Sequence, residues 1–364
     1  MDELNHGQRF SKILREDIRN IRFDRDLRRE LKELKKFYLT EEQNKQLAGM
    51  KRIHKVVQLI LWMIKSLFLH LTPLRRLLTI LGISIIIIGS GIVVNDGNTQ
   101  VNNPGLIGGA ILFIVLMLEL KDKLLAKDEL EAGRKVQNAL LPERSPYIPG
   151  WSIWLYTRPA NEVGGDLVDY LKINDERIGI VIADVAGKGL HAALLMAKLQ
   201  ATIRALAEDY NLLSELCNKI NKIFCRDSLP NIFASMFYLE IKPNDPEIKF
   251  VNAGHLPPLI IRKEKIEEIP KNNTAVGLAK TFSYKEDVIT MESGDIFIAY
   301  SDGVTEAQNE FGQFYEKDRL LKLLNEIRKY KFEEIGEIIV NSVDIFTGES
   351  AATDDLSLVI MRKN

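Results

Sequence analysis

Four acidic stretches share one local grammar. In EVGGDLVDY, Asp166 follows Gly164 and Gly165; in IVIADVAGKG, Asp184 ends an apolar run and Gly187 and Gly189 come after it. In GDIFIAYSDGV, Asp302 sits between Ser301 and Gly303, and in TDDLSLVIM, Asp354 and Asp355 stand just before the final apolar run. Any one of these acids fits an ordinary turn residue, whose side chain bonds nearby backbone. Their common setting suggests more. In three of the stretches the acid abuts an apolar strand, and strand ends on packed sheets are rigid places to hold a ligand. The glycines let a backbone come close to something small. Carboxylates converging at a sheet edge repel one another unless something positive lies among them, and no matching set of Arg or Lys occurs in these motifs. Hard divalent cations solve this, because Mg²⁺ and Mn²⁺ take carboxylate, carbonyl and water oxygens. The absence of Cys/His ligand spacing argues against zinc. Two such cations would deprotonate a bridging water and polarise a phosphoryl oxygen, which is direct hydrolysis without a covalent enzyme intermediate. The residues therefore predict a metal-dependent hydrolase.

The elements that must position these acids read as short strands with two helical blocks. WSIWLYT, DLVDYLKI, RIGIVIAD, ASMFYLEI, EIKFVNAG, PPLIIRK, DVITM, DIFIAYS and LSLVIMRKN are strands by β-branched and aromatic content and by their Gly/Pro/Asn/Asp boundaries. Residues 190–210 with 212–224 form one helical block and 316–346 the other. Consecutive strands with helices set apart predict an α+β fold, with helices covering antiparallel sheets.

The whole chain has 364 residues, room for one domain and appendages, and a net charge of −1 that gives no reason to expect nucleic acid as a partner. Cys217 and Cys225 are the only cysteines, which is no disulfide framework and fits a reducing compartment. Neither opens a Cys-x5-Arg phosphate loop, since Ile223 and Asn231 stand at the sixth position on, which argues against a cysteine-nucleophile phosphatase.

Charge is unevenly spread. Residues 1–55 hold 15 Lys/Arg and 10 Asp/Glu, whereas LLTILGISIIIIGSGIVV, 77–94, holds none. Eighteen helical residues span about 27 Å, close to a hydrocarbon core. A second uncharged run starts at Pro104, and the two bracket the polar loop NDGNTQVNN. Arg75 and Arg76 flank one side and Lys121, Lys123 and Lys127 the other, which places both flanks in the cytoplasm. The predicted organisation is a charged helical region over 1–72, a transmembrane hairpin over 73–120 (about 77–94 and 104–120), a helical linker over 121–142 and a catalytic domain over 143–364. Residues 53–71, apolar but carrying Lys55, Lys65 and His70, read as an amphipathic helix on the lipid membrane surface, or a third span. Gly105 and Gly109 have the spacing of a helix-packing pair. The linker's Leu120, Leu124, Leu130, Val136 and Leu140 form an apolar stripe compatible with a homodimer or with a solvated connector. The localisation expected is a multi-pass cytoplasmic (inner) membrane protein with the N-terminus and catalytic domain in the cytoplasm.

Taken in order, EVGGDLVDY, ADVAGKGLHAALLMA, FASMFYLEI, NAGHLPPLI, VGLA, GDIFIAYSDGVTEAQNEFGQFY and DDLSLVI resemble the bacterial metal-dependent (PPM-type) serine/threonine phosphatases of the SpoIIE/RsbU branch, and AGRKVQNALLPERSPYIPGW resembles their lead-in helix. The resemblance covers about residues 130–362 and neither the hydrophobic segments nor the N-terminus. It implies a four-layer α-β-β-α sandwich with two Mn²⁺ or Mg²⁺ ions between the sheets. By motif match it implies that Asp184 bridges the ions and acts in catalysis with Asp166. The Val185 carbonyl would join the coordination, with Asp166, Asp302 and Asp354 supplying further carboxylates. Asp355 would support the ligands, or be the ligand itself if the register is one residue on. The implied substrate is phosphoserine or phosphothreonine on a regulatory protein such as an anti-anti-sigma factor. Lys188, a candidate to bind the substrate, stands where the family often has His. His255 matches a family motif and could meet a phosphate as an imidazole or brace a loop. Arg158 could offer a cation to the substrate, or be an ordinary surface arginine.

Gly164-Gly165-Asp166 is also similar to the diguanylate cyclase signature, but an acid-aromatic pair should follow and Leu167-Val168 does. A scaffold or pseudophosphatase that binds its partner without catalysis should show lost ligands, and none of the motif acids is missing.

Overall fold

A computed structural model describes Leu34 and residues 39–364, apart from 90, 96–97, 103–104, 228–231, 264 and 328–329. The charged stretch expected over 1–55 therefore lies largely outside the described residues. The chain divides into two compact units, Met1–Leu124 and Leu125–Asn364.

In the first unit α1 (Glu41–Ala48) begins with a capping box in which Thr40 and Gln43 satisfy each other's backbone amides. It is followed by α2 (Arg52–His70) and α3 (Pro73–Gly89). The run expected to stay helical through residue 94 stops being helical at Gly89, and β1 (Gly91–Asn95) pairs antiparallel with β2 (Asn98–Asn102). The β-branched Ile92, Val93 and Val94 suit a strand as well as a helix, which is why composition alone did not place this end. Helix α4 (Gly105–Leu140) runs without a break through the expected linker, and the unit boundary falls within it. Helices α3 and α4 meet at Gly82 and Gly108. A Cβ on Gly108 would lie 2.6 Å from the Gly82 carbonyl, while one on Gly109 would meet nothing within 4 Å. The close approach thus uses Gly108, not the Gly105/Gly109 pair that spacing suggested. At the other end of the contact Arg75 reaches Glu119 at 2.6 Å and Asp122 at 2.7 Å.

Among the described residues, the helix long and apolar enough to cross a membrane is α2, over Ile53–His70. Helix α3 has 17 residues, and the apolar start of α4 meets Glu119, Lys121 and Asp122 within its first turns past the apolar run. The segment read as a surface helix is therefore the stronger candidate by length and composition.

The second unit is the expected four-layer sandwich. Its strands are β3 (Trp151–Arg158), β4 (Asp166–Lys172) and β5 (Ile178–Val185), then helices α5 (Leu190–Leu206) and α6 (Leu213–Asp227). Strands β6 (Ala234–Ile241), β7 (Glu247–Ala253), β8 (Leu259–Arg262), β9 (Lys265–Glu268), β10 (Asp287–Thr290) and β11 (Ile296–Tyr300) follow. A short turn of helix α7 (Asp302–Thr305), helices α8 (Lys317–Ile327) and α9 (Phe332–Thr347), and β12 (Leu356–Lys363) close the chain. One sheet has the order β10-β7-β6-β5-β4 and the other β3-β12-β11-β8-β9, with every ladder antiparallel.

Alternation along the strands sorts three cores. Ile178, Ile180 and Ile182 of β5 point between the sheets with Phe237, Leu239, Phe297, Val359 and Met361. Val181, Ala183 and Val185 point the other way, under Met196, Leu199, Leu216 and Ile220 of α5 and α6. On the outer face of the second sheet, Leu358, Ile360 and Ile298 pack beneath Leu320 and Leu324 of α8 and Ile335 and Ile339 of α9. Strands buried on both faces read as nearly continuous apolar runs, which explains IGIVIADV and LSLVIM.

Candidate active site

The faces that are apolar in the middle of the sandwich turn polar at one end. Two residues beyond Ile182, on the same face, stands Asp184; two before Val168 stands Asp166, and the two acids are register partners across the β4–β5 ladder. Directly opposite side chains in an antiparallel pair lie on one face within reach of each other. In the facing sheet the same parity carries Phe297 and Ala299 to Ser301, and Met361 and Val359 back to Ser357 and Asp355. Asp302 follows β11 and Asp354 precedes β12, neighbouring strands, so both fall at this same end.

The electrostatics record the convergence. Burial raises the Asp166 carboxyl well above its usual range, and Asp184 and Asp355 push it further; the hydroxyls of Ser357 and Ser301 oppose them. Asp184 is raised from 3.8 to about 7, by burial first and then by Asp302, Asp354 and Asp355, with Lys188 acting against them. Asp302 is raised by burial, then by Asp354 and Glu306. Among the described residues, no group of three or more His, Cys, Asp or Glu side chains is gathered tightly enough to hold an ion as it stands. Two of the acids have other partners.

Asp355 is one of these. Its carboxylate accepts hydrogen bonds from the backbone amides of Ala160 (2.7 Å), Gly165 (2.6 Å) and Asp166 (3.2 Å). Its carbonyl accepts one from the Ser301 hydroxyl at 3.0 Å, and that hydroxyl accepts one from the Ser357 amide at 2.9 Å. A Cβ on Gly164 would collide with the Asp355 carboxylate and one on Gly303 with its carbonyl, so both glycines serve close approach. Asp355 thus ties the loop before Asp166 to the loop carrying Asp302. Asp354 is the other: its Oδ2 meets Lys188 Nζ at 2.7 Å and its Oδ1 accepts from the Asp355 amide at 3.0 Å.

The residues fit hard cations by one further observation. Asp166 Oδ2 is buried with no hydrogen-bond partner, and the side chains that act on its carboxyl, Asp184, Asp355, Ser301 and Ser357, offer oxygen alone. A buried carboxylate oxygen without a partner is costly unless a cation receives it. Val185, whose carbonyl was a candidate, follows Asp184 in β5 and is fully buried; a Cβ on Gly165 would crowd that carbonyl at 3.2 Å.

The remaining candidates separate. Arg158 is engaged by another partner: its guanidinium holds Asp344 of α9 with both terminal nitrogens, at 3.0 and 2.5 Å. This pair borders a cavity of about 320 Å³ that reaches Gly303, Thr353 and Asp354. His255 is buried, its Nδ1 3.0 Å from the Ser235 hydroxyl, and Ser235 is the β6 register partner of Asp184. Burial, helped by Lys271, lowers its pKa to about 4, so it stays neutral. Its backbone amide donates to the Asn252 side chain at 2.9 Å, and its Nε2 is buried without a hydrogen-bond partner.

Several contributors carried no local sequence signal. Gln137 of α4 donates to the Gly164 carbonyl at 2.8 Å and accepts from the Gly164 amide at 3.1 Å. Gln200 of α5 donates to the Leu140 carbonyl at 2.9 Å. Arg204 of α5 holds the buried Asp169 of β4 through two bonds of 2.7 Å. The end of α4 and the C-terminal half of α5 are in this way fixed to the strand that begins with Asp166.

Comparison with known proteins agrees with this architecture. The family described as Stage II sporulation protein E (SpoIIE) matches residues 174–364, a stretch that includes the Asp184, Asp302 and Asp354 motifs. Protein IcfG of Synechocystis is 26% identical over 306 residues, covering 74% of this chain and 48% of that protein. The phosphoserine phosphatase RsbU of Bacillus subtilis is 28% identical over 239 residues, covering 65% of this chain and 70% of that one. The chain thus spans about half the length of the first relative and about two thirds of the second. Among solved structures, the SiaA-PP2C domain of Pseudomonas aeruginosa aligns with a TM-score of 0.58 at 19% identity, over 67% of this chain and 99% of that one. The RsbU and RsbW domains of Rv1364c from Mycobacterium tuberculosis align at 0.52 and 21%, over 60% of this chain and 61% of theirs. With a PP2C-type sandwich and a family match running from β5 through the last acidic motif to the final residue, the chain belongs to the SpoIIE family.

Proposed function

We propose that this chain is a metal-dependent protein serine/threonine phosphatase acting on a phosphorylated regulatory partner. The observation that carries the reading is the pairing of Asp166 with Asp184, the first with a buried unpartnered oxygen and the second raised to about 7 by Asp302, Asp354 and Asp355. Membership of the SpoIIE family and likeness to a relative named a phosphoserine phosphatase support the substrate class.

Asp166, Asp184, Asp302 and Asp354, with the Val185 carbonyl, would hold two Mn²⁺ or Mg²⁺ ions. Such ions lower the pKa of a water and neutralise charge on a phosphoryl group when bound. The chain's own part is positioning. Asp355 and Gln137 fix the loop before Asp166 from opposite sides, through the amides of Gly165 and Asp166 and both backbone groups of Gly164. Ser301 and Ser357 link the Asp302 loop to the start of β12. The pair Arg158–Asp344 walls the cavity through which a phosphorylated side chain would approach.

Attachment to a membrane belongs to the same proposal. Leu77, Ile80, Ile87 and Ile88 of α3 and Leu106, Ile107 and Phe113 of α4 are exposed, and so many exposed large apolar side chains suit lipid better than water. Arg75, Glu119 and Asp122 would lie at the cytoplasmic end, where the positive flanks belong. Helix α2, the candidate span by length and composition, would cross the bilayer or lie along its surface.

The test is phosphate release from a phosphoseryl peptide by the full chain in detergent micelles, with Mn²⁺ or with EDTA. Mn²⁺-dependent release, absent in Asp184→Asn, supports the reading. Partner binding with no release under any metal would replace it with a scaffold.

A further inference from the structure

One cation is built into the acidic end of the sandwich. Lys188 lies between β5 and α5, flanked by Gly187 and Gly189, both at positive φ. Its ammonium donates to Asp354 Oδ2 at 2.7 Å and to the Thr353 carbonyl at 2.6 Å. The attraction of Asp302 and Asp355 adds to that of Asp354 in holding its proton. The acids are therefore unequal. Asp166 keeps a buried oxygen with no partner, whereas both oxygens of Asp354 are engaged, one by Lys188 and one by the Asp355 amide. Lys188 is 59% exposed on a flexible four-carbon stem, so it can leave without disturbing the core.

We propose that Lys188 is a tethered counter-cation that competes with a metal ion for Asp354, so that the position using Asp354 loads more weakly than the one built on Asp166 and Asp184. The inference rests on the proposed metal-dependent function and deepens it: metal loading at the rim of the site requires an internal ion pair to open. An ammonium held on a carboxylate oxygen repels a divalent ion brought to the same group and takes up part of its lone-pair capacity, so metal binding at Asp354 is weakened while Lys188 stays. Lys188 thereby sets the free-metal concentration at which the second position fills, and the loop that carries it, between β5 and α5, becomes a place where that threshold is adjusted.

Isothermal titration of Mn²⁺ into the full chain tests this, with no turnover involved. Lys188→Gln is expected to tighten the weaker class of sites about two- to fivefold, the size of an ion pair of this exposure. Lys188→Arg, which keeps a cation at the position, is expected to titrate like the wild type. In an Asp354→Asn background, Lys188→Gln is expected to leave the isotherm unchanged, because the competition is for that carboxylate. Unchanged or weaker binding in Lys188→Gln overturns the inference, as does an equal gain in the Asp354→Asn background, which would reduce Lys188 to a diffuse field. Those results leave the metal reading standing. No Mn²⁺ binding by the wild type overturns both.

Discussion

Replacing Asp184 by Asn should stabilise the metal-free protein at neutral and alkaline pH while destroying its activity. The magnitude follows from the site. A carboxyl that ordinarily titrates at 3.8 is held at about 7, by burial and then by Asp302, Asp354 and Asp355. At about 1.4 kcal/mol for each pH unit, ionising it in the folded state costs on the order of 4 kcal/mol. Because the folded value is raised, the stability contributed by the protonated form is complete below about pH 4 and is lost as pH rises through about 7. Asp166 is shifted in the same direction and adds to the loss. Urea unfolding of the full chain in EDTA, followed by the fluorescence of Trp151 and Trp154, should therefore show wild-type stability falling between pH 5 and pH 8. Asp184→Asn should lose much of that slope and exceed the wild type at pH 8 by about 2–4 kcal/mol. Excess Mn²⁺ should restore the wild type at pH 8 and help the variant far less, since a ligand that binds only the folded state stabilises it. A variant no more stable than the wild type at pH 8, or a wild type whose stability rises over this range without metal, would refute the reasoning.

Other outcomes follow from the same geometry. Asp302→Asn should lower Mn²⁺-dependent phosphate release by at least about 100-fold with unfolding little changed, as a group positioned for chemistry and not for packing would. Asp355→Ala should destabilise by roughly 2–6 kcal/mol, because it orphans the buried amides of Gly165 and Asp166. Asp354→Ala, whose partner is an exposed lysine, should cost less than about 1 kcal/mol by the same assay. Gln137→Ala should destabilise by about 1–3 kcal/mol and, by freeing the Gly164 loop, reduce kcat by up to about 100-fold with the metal titration still measurable. The kcat–pH profile should show no inflection belonging to His255 between pH 5.5 and 7.5, because that imidazole is neutral down to about 4; a profile in which His255→Gln removed such an inflection would contradict that neutrality.

Much of the sandwich was legible because its strands are buried on both faces and bounded by turn residues, as with ASMFYLEI, which is β6 residue for residue. The acids were legible as a group because each ends or begins such a strand. Their division of labour was not. Asp354 and Asp355 are adjacent in the chain, and only the parity of β12, with Asp355 on the face of Ser357 and Val359, turns one inward to the backbone amides and leaves the other to Lys188. Gln137 makes its contact 27 residues away, and Arg158 meets Asp344 at a separation of 186; neither distance leaves a local pattern. Strand β9, KIEE, is a short charged edge, a composition that edges favour and that reads as loop. The helical block over 316–346 breaks at Lys331, which adopts extended backbone with neither Gly nor Pro beside it. In the first unit the spacing of Gly105 and Gly109 was visible, but helix packing depends on which face meets the neighbour, and that face carries Gly108.

The most direct test is an anomalous difference map, measured at the manganese edge, from crystals of the protein grown with Mn²⁺. The account predicts two peaks at the polar end of the sandwich, bounded by Asp166, Asp184, Asp302 and Asp354, with Asp184 between them and Lys188 withdrawn from Asp354. Peaks elsewhere, or none with these carboxylates keeping their present partners, would contradict it.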